Sequence, residues 1–264
     1  MKTLKQKVHI VAPYLLNPTN PLSINLIGAG GTGSQLLTAL ARMNYALINL
    51  GHAGLQVTTF DADNVDTANL GRQLFSEPEI GMNKAVAISN RVNRFFGTNW
   101  KGIAEKFEIA DKGNRMENRM ANITLSCVDT VQSRLEIGNC LSVLAKNQSQ
   151  RDSPLYWMDF GNTKDAGQVL LCSLKNISQA PSKAFQTVGI LPPFLSQFEA
   201  LNPSETNEPS CSLAQALGKQ DLFINSTLAS LGASLLWSMF REGIIQYRGF
   251  YLNLKGFKTQ PVKI

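Results

Sequence analysis

From residue 22 onward, the chain alternates short apolar runs with stretches of helical periodicity. Residues 22–28 form an apolar run that ends in glycine, which is typical of a buried parallel strand. Residues 34–50 place large apolar side chains on one face of a predicted helix, namely Leu36, Leu37, Leu40, Met43 and Leu47. The runs 55–61 and 123–129 each end in aspartate and are predicted to be strands.

The same pattern continues through the middle of the chain. Further predicted elements are helices at 82–96 and 131–147, a weaker strand near 100–107, and strands at 154–160 and 167–174 with a tight connection over 161–166. Strand-helix alternation of this kind predicts an α/β fold. We expect a Rossmann-like, doubly wound, mostly parallel sheet with helices on both faces, whose core spans residues 20–175.

The last third of the chain has a different composition. Residues 176–212 hold five prolines and many serines and asparagines, which predicts a long crossover loop with at most one short helix at 194–201. A helix at about 221–242 and a strand at 249–258 are predicted within the C-terminal part, 213–264. The 264 residues are expected to form a single domain, 1–264.

Composition and charge narrow the function classes. The net charge is +6, but the basic residues form no run, so nucleic-acid binding is not expected. Neither a signal peptide nor a stretch long enough to cross a bilayer is recognisable, so a cytoplasmic protein without membrane contact is expected. The four cysteines form no CxxC pair and there are two histidines, so no zinc is expected.

A glycine-rich loop follows the first strand of this pattern and opens the first helix. It reads Gly28-Ala29-Gly30-Gly31-Thr32-Gly33. Gly28 permits a tight turn, Gly30 lets the backbone approach a phosphate, and Gly33 lets the helix and strand pack closely. The helix N-terminus adds free N–H donors and a partial positive charge. The loop predicts phosphate binding but does not choose between NAD, FAD and ATP, and a turn without a ligand has the same pattern.

Residues 61–75 carry the pattern that favours ATP. The strand end is acid-x-acid, and the following loop contains asparagine, arginine and glutamine. Together with a lysine on the next helix and an acid after the 123–129 run, this resembles the ubiquitin-activating-enzyme-like superfamily, whose bacterial members include ThiF and MoeB. The resemblance covers about residues 20–175 and rests on Asp61, Asp63, Asn69, Arg72, Gln73, Lys84 and Asp129.

The resemblance implies an ATP·Mg²⁺-dependent adenylation of a protein C-terminus. The nucleotide-binding residues implied are Gly28, Gly30, Gly31, Gly33, Asp61, Asp63, Asn69, Arg72, Gln73 and Lys84. Arg72 and Lys84 would stabilise phosphate charge. Asp63 and Asp129 offer hard oxygen ligands for Mg²⁺, and Arg72, Lys84 and Asp129 are the implied catalytic groups.

Each of these residues also has an ordinary structural interpretation. Asp61 could cap a loop, and Arg72 and Lys84 could be solvated surface charges. Asp129 could be the N-cap of the helix that begins near residue 131. The combination of residues, rather than any single one, favours the nucleotide site.

The sequence departs from the family pattern near its N-terminus, where many relatives have an arginine that reaches the phosphates. No arginine precedes Arg42, although lysines occur at Lys2, Lys5 and Lys7. Many relatives also use a crossover-loop cysteine to form a thioester. Cys211 lies in that loop here, as a nucleophile or as a packing residue, whereas the other three cysteines are expected to be buried.

The short length, the GAGGTGS loop and the missing zinc cysteines resemble, more loosely, the ThiF-family proteins of PRTRC gene systems. That resemblance implies a small ubiquitin-like β-grasp partner, and the superfamily implies a homodimer. Two other functions stay open: a catalytically impaired nucleotide-binding scaffold in a heteromeric complex, and an NAD-dependent oxidoreductase. The latter lacks an evident proton-transfer histidine, since His9 and His52 are expected to be structural.

Overall fold

The computed structural model describes residues 5–109, 119–146, 151–195 and 220–264. In chain order, the strands within these ranges are β1 Lys7–Ile10, β2 Leu22–Ile27, β3 Leu55–Phe60, β4 Lys101–Ile103, β5 Ile123–Ser126, β6 Tyr156–Asn162, β7 Ala166–Ser173, β8 Gln186–Thr187, β9 Ile244–Ile245, β10 Tyr247–Asn253 and β11 Lys258–Lys263. The α-helices are α1 Gly31–Asn49, α2 Lys84–Phe96, α3 Val131–Leu144 and α4 Ile224–Glu242. None of the described helices is long and apolar enough to cross a membrane.

Eight strands form one sheet in the order β11-β10-β7-β6-β5-β2-β3-β4. The pairings β4–β3, β3–β2, β2–β5 and β5–β6 are parallel. The pairings β6–β7, β7–β10 and β10–β11 are antiparallel. The predicted Rossmann-like sheet is confirmed, with an antiparallel extension on one side.

Helices cover both faces of this sheet, as predicted. Successive strand residues point to opposite faces, so Leu26 belongs to a core with α1, α2 and α4, and its neighbour Ile27 belongs to a second core with α3. Met158 and Trp157 divide between the two cores in the same way. The chain passes from β2 through α1 on one side and from β5 through α3 on the other, which makes the gap between β2 and β5 the switch point of the fold.

A small three-stranded sheet, β8-β1-β9, was not predicted. Lys7 pairs with Gln186 in parallel, and His9 pairs with Ile245 in antiparallel register. β8 and β9 have two residues each and lie far from β1 in sequence. Local periodicity therefore gave no signal for these strands.

The C-terminal part also differs from the prediction. The expected strand at 249–258 is a hairpin, in which β10 and β11 are joined by a turn at 254–257. The weak strand near 100–107 is limited to Lys101–Ile103. Within the predicted crossover loop, residues 176–195 are described and contain β8; residues 196–219, with most of the predicted short helix and Cys211, lie outside the described residues.

Candidate functional site

A cavity of about 340 Å³ lies at the carboxyl ends of β2, β3 and β5. It is lined by Ile27 and Gly28 from the end of β2, Phe60 and Asp61 from the end of β3, and residues 127–130 after β5. This is the switch point of the sheet, where open α/β folds generally bind their ligands. Seven predicted site residues line it: Gly28, Gly30, Asp61, Asp63, Gln73, Lys84 and Asp129.

The glycine turn at the cavity is held by sterics. Gly28 has φ +88°, and a Cβ there would lie 2.6 Å from the carbonyl oxygen of Cys127. A Cβ on Gly33 would lie 1.8 Å from the carbonyl oxygen of Gly28. Both positions therefore require glycine, as the sequence predicted. Gly30 is different, because a Cβ there would meet only the Gln73 side chain, at 3.9 Å, and the residue faces the cavity.

Gly31 is required for a reason that the sequence does not reveal. It does not line the cavity, and its φ is not in the left-handed region. A Cβ on Gly31 would lie 2.5 Å from Nδ2 of Asn225, which belongs to α4. The close approach of α4 to α1 excludes a side chain at this position.

The N-terminus of α1 is suited to an anion. Its N-cap, Gly30, provides no side-chain hydrogen bond. The first N–H groups of a helix have no partner within the helix, and they carry a partial positive charge. Since Gly28 and Gly30 both line the cavity, this helix end offers phosphate oxygens a set of backbone donors.

Asp61 both caps the turn and lines the cavity. Its Oδ2 accepts a 2.6 Å hydrogen bond from the Ala29 N–H, and its Oδ1 accepts a 2.8 Å bond from the Asp63 N–H. Burial raises the pKa of Asp61, and the two backbone bonds and Lys84 oppose that shift. The loop-capping interpretation and the ligand-binding prediction are therefore compatible at this residue.

Lys84 is not a solvated surface charge. It begins α2, its side chain is 10% exposed, and its Nζ lies 3.0 Å from Oδ2 of Asp63. Asp63 is much more exposed, at 72%. The structure thus places a largely buried cation at the cavity wall, next to one of the two predicted magnesium ligands.

Asp129 is exposed at the cavity, and it is not the N-cap of α3. That cap is Thr130, whose Oγ1 accepts a 3.1 Å hydrogen bond from the Ser133 N–H. Since the cap function falls to the next residue, the carboxylate of Asp129 is left to face the cavity.

The loop after Asp61 is organised by its own side chains. Asn69 accepts a 2.9 Å hydrogen bond from the Asp66 N–H in a capping box, and it does not line the cavity. Gln73 does line it, and its buried Oε1 has no hydrogen-bond partner among the described residues. Such unpartnered buried polar atoms are costly in a protein interior.

Arg72 lies outside the cavity lining. Its Nη1 donates a 2.8 Å hydrogen bond to Oε1 of Gln220, just before α4, and its buried Nε has no partner within the described ranges. The predicted contact of the guanidinium with the phosphates stays a prediction; in the structure the group contacts Gln220.

A buried ion pair below the cavity was also missed. Arg134 of α3 donates from Nε to Oδ2 of Asp159 at 3.0 Å, and from Nη2 to the carbonyl of Phe160 at 3.1 Å. Ser126 donates to Oδ1 of Asp159 at 2.6 Å, and Trp157 donates to Ser126. Burial raises the pKa of Asp159, while Arg134 and Ser126 oppose the shift. The network joins α3, β5 and β6 beside the turn that carries Asp129.

The remaining sequence predictions have mixed outcomes. His9 and His52 are structural, because the ring nitrogens of each one have hydrogen-bond partners. Cys127 and Cys172 are buried as expected, but Cys140 is only half-buried. The part of the chain that the structure describes holds no group of three or more His, Cys, Asp or Glu side chains suited to a metal ion. Magnesium usually needs only one or two carboxylates, so its binding by Asp63 and Asp129 stays a prediction.

Comparison with known proteins identifies the family. Residues 16–260 match the model of the ThiF family. Ubiquitin-like modifier-activating enzyme 5 of Aedes aegypti is 25% identical over 173 residues, which are 61% of this chain and 38% of the relative. The enzyme of the same name from Dictyostelium discoideum is 26% identical over 156 residues, which are 55% of this chain and 36% of that protein. The chain therefore spans less than two fifths of the length of these relatives.

Solved structures share the fold. PaaA has a TM-score of 0.59 at 13% identity, over 92% of this chain and 64% of that one. E. coli MccB in a structure with ATP has a TM-score of 0.56 at 15% identity, over 94% and 64% of the two chains. The family match covers most of the sequence, and it agrees with the glycine turn and with the acid-rich cavity at the switch point of the sheet. The chain belongs to the ThiF family.

Proposed function

We propose that the chain binds ATP in the cavity and uses it to adenylate the C-terminal carboxylate of a small ubiquitin-like β-grasp protein. One observation carries the proposal: the glycine turn, Asp61, Lys84 and Asp129 face a single cavity at the carboxyl edge of the sheet. Membership of the ThiF family supports this kind of chemistry. Similarity to ubiquitin-like modifier-activating enzyme 5 supports the class of partner.

The lining residues divide into a ribose part and a phosphate part. The Asp61 carboxylate is fixed by two backbone N–H groups and retains lone pairs for ribose hydroxyls. The open N-terminus of α1 and the Lys84 ammonium offer donors and positive charge for the phosphates. Gln73 lines the same wall.

The proposed reaction needs mainly positioning and charge stabilisation. An oxygen of the partner's C-terminal carboxylate forms a bond to the α-phosphorus of ATP, and the bond to the departing pyrophosphate breaks. Fixed donors near the phosphates act on charge that grows in the transition state. Mg²⁺, when held by Asp63 and Asp129, would neutralise charge on the phosphates. Crystal structures of MccB that contain ATP, or AMPCPP with MccA, provide a parallel in another chain of this fold.

The test is pyrophosphate exchange. With ATP, Mg²⁺ and a candidate β-grasp protein, labelled pyrophosphate should be incorporated into ATP. Lys84→Met should lower this exchange by about two orders of magnitude, since a charged donor is lost in a partly desolvated site. The matched control is Lys101→Met, because Lys101 is an exposed lysine at β4 that does not line the cavity. Exchange that Lys84→Met leaves unchanged would contradict the proposed site.

A catalytically impaired scaffold is the second candidate, and the position of Arg72 favours it. The guanidinium is held by Gln220 rather than presented to the cavity. Tight ATP binding without exchange, for every β-grasp partner tried, would support the scaffold and contradict the enzyme.

Thioester formation on Cys211 is a further part of the proposal. The thiolate would attack the acyl carbon of the adenylate, and AMP would leave. A partner adduct that dithiothreitol cleaves, and that Cys211→Ser abolishes or converts into a thiol-stable ester, would support it. An unchanged thiol-sensitive adduct in Cys211→Ser would rule this cysteine out.

We also propose that the chain forms a homodimer, that it is cytoplasmic, and that it belongs to a PRTRC-type gene system. Sedimentation equilibrium of the purified chain tests the first of them. A monomer at all concentrations used for the exchange assay would contradict it.

A further inference from the structure

Asn225, a buried asparagine on α4, makes all its described side-chain hydrogen bonds with residues outside its own helix. Oδ1 of Asn225 accepts hydrogen bonds from Oγ1 of Thr32 and from Nδ2 of Asn162, both at 2.9 Å. Its Nδ2 donates a 2.9 Å bond to Oε1 of Gln220. The residue is 3% exposed.

Its role is not to cap its own helix. The N-cap position of α4 is Phe223, and it makes no side-chain cap hydrogen bond. A buried amide is costly unless it is hydrogen-bonded. The groups that Asn225 holds in place, on α1, on β6 and just before α4, therefore explain its presence better than the helix itself does.

Two of these groups adjoin the proposed nucleotide site. Thr32 and Gly31 are in the first turn of α1, and the Asn225 amide fills the space where a Gly31 side chain would stand. Oε1 of Gln220 accepts from Nδ2 of Asn225 and also from Nη1 of Arg72. One amide thus fixes the helix end that faces the cavity and, through Gln220, the orientation of the guanidinium.

We propose that Asn225 is a positioning residue for the phosphate part of the nucleotide site. The inference rests on the proposed function, since it requires that ATP binds at the N-terminus of α1. Asn225 does not line the cavity, and it acts through Gly31, Thr32 and Gln220. Through Asn225, the first turn of α4 supports the nucleotide site.

The experiment compares two ligands, ATP and adenosine, by isothermal titration calorimetry. In Asn225→Ala the dissociation constant of ATP should rise about tenfold. This is the effect expected when one or two hydrogen bonds that order the helix end are lost. The dissociation constant of adenosine should change by less than about twofold, because adenosine lacks the phosphates. A general loss of structure would weaken both ligands alike.

Asn122→Ala is the matched control. Asn122 is 2% exposed and makes several hydrogen bonds, including those with Ser23. It lies just before β5, at the amino ends of the parallel strands and away from the cavity at their carboxyl ends. The same substitution there should leave the ratio of the two dissociation constants unchanged.

Two further variants keep the test decisive. Thr32→Val retains the shape and removes one donor to Asn225, so the ATP-to-adenosine ratio should shift by about threefold even if Asn225→Ala fails to fold. Gly31→Ala should bind ATP poorly, and adding Asn225→Ala should relieve the clash so that the two effects are not additive.

The outcomes separate the two proposals. A wild-type chain that binds no ATP contradicts the proposed function and the inference with it. A wild-type chain that binds ATP, with an unchanged ratio in Asn225→Ala or Thr32→Val, overturns the inference alone.

Discussion

The glycines of the GAGGTG loop serve four different physical purposes. Gly28 needs a positive φ and a close approach to Cys127, while Gly33 needs contact with the Gly28 carbonyl. Gly31 makes room for Asn225, and Gly30 alone faces open space at the cavity. The motif is visible in the sequence, but the reasons for Gly28 and Gly31 come from Cys127, just after β5, and from Asn225 on α4.

Substitution at Gly33 and at Gly30 should separate stability from binding. Gly33→Ala places a methyl group into a backbone oxygen, so the free energy of unfolding should fall by at least about 2 kcal/mol. Gly30→Ala should lower the free energy of unfolding by about 1 kcal/mol. Its methyl group lies at the cavity, so it should also weaken ATP binding. Urea unfolding and calorimetry measure the two effects. Equal destabilisation by both variants would contradict the assigned contacts.

His9 should make the stability depend on pH. Nδ1 donates to the carbonyl of Val188 at 2.7 Å, and Nε2 lies 2.8 Å from the Tyr156 hydroxyl. Since Nδ1 carries the proton, the neutral ring accepts from Tyr156. Burial lowers the pKa of His9 from 6.5, and the bond to Val188 partly offsets this.

A lowered pKa in the folded state means that the unfolded chain binds more protons below pH 6.5. The contribution of His9 to the free energy of unfolding is therefore complete above pH 6.5. It is lost as the pH falls toward the folded-state pKa, by at most about 1.4 kcal/mol per pH unit. Urea unfolding of the wild type and of His9→Gln between pH 7.5 and 5.5 measures it. The variant should show the flatter dependence, and parallel curves would refute the assignment.

At the scale of elements, the start of α2 organises the acidic side of the cavity. Oδ1 of Asn83 accepts from the Val86 N–H at 3.1 Å and caps the helix. Its Nδ2 donates to the carbonyls of Asp61 and Asp63 at 2.8 and 3.0 Å. One side chain therefore joins the helix that carries Lys84 to the loop that carries both acids.

Two substitutions at Asn83 should divide these roles. Asn83→Ala removes the cap and both donors, so the free energy of unfolding should fall by about 1–2 kcal/mol and ATP binding should weaken. Asn83→Ser keeps a good capping oxygen but lacks the two amide N–H donors of Nδ2. It should retain most of the stability and still bind ATP more weakly. ATP affinity at the wild-type level in Asn83→Ser would show that the loop does not need these bonds.

At the scale of the whole molecule, the Arg134–Asp159 pair connects the α3 layer with the sheet. Both side chains are nearly buried, at 6% and 1% exposure. Removing one member leaves the other charge uncompensated. The pair is therefore expected to matter more for stability than any ion pair on the surface.

Asp159→Leu should lower the free energy of unfolding by about 3–5 kcal/mol, measured by urea denaturation. The double variant Arg134→Met/Asp159→Leu should be less destabilised than the single one, because no charge stays buried. Asp152→Leu is the control, since the side chains of the Arg151–Asp152 pair are 62% and 29% exposed, and it should cost less than about 1 kcal/mol. Similar losses for Asp159→Leu and Asp152→Leu would contradict the proposed importance of burial.

Elements with strong local signals could be predicted from the sequence. β2, β3, α1 and α2 have apolar patterns long enough to define their type, and their ends lie within a few residues of the prediction. The small β8-β1-β9 sheet could not be predicted, because its strands are short and their partners are distant in sequence. The hairpin β10–β11 was missed for a different reason: its outer strand is polar and exposed, so no apolar pattern marks it.

By itself, the sequence determined the family, the doubly wound sheet and seven of the residues that line the cavity, because glycine turns and strand-end acids are local patterns. Only the tertiary structure decided what each group does there. It assigned the α3 cap to Thr130 rather than Asp129, held Arg72 on Gln220, and brought Asn225 against the glycine turn. The last of these contacts joins residues 193 positions apart. No local pattern can encode such a pairing, because it depends on how α1 and α4 pack.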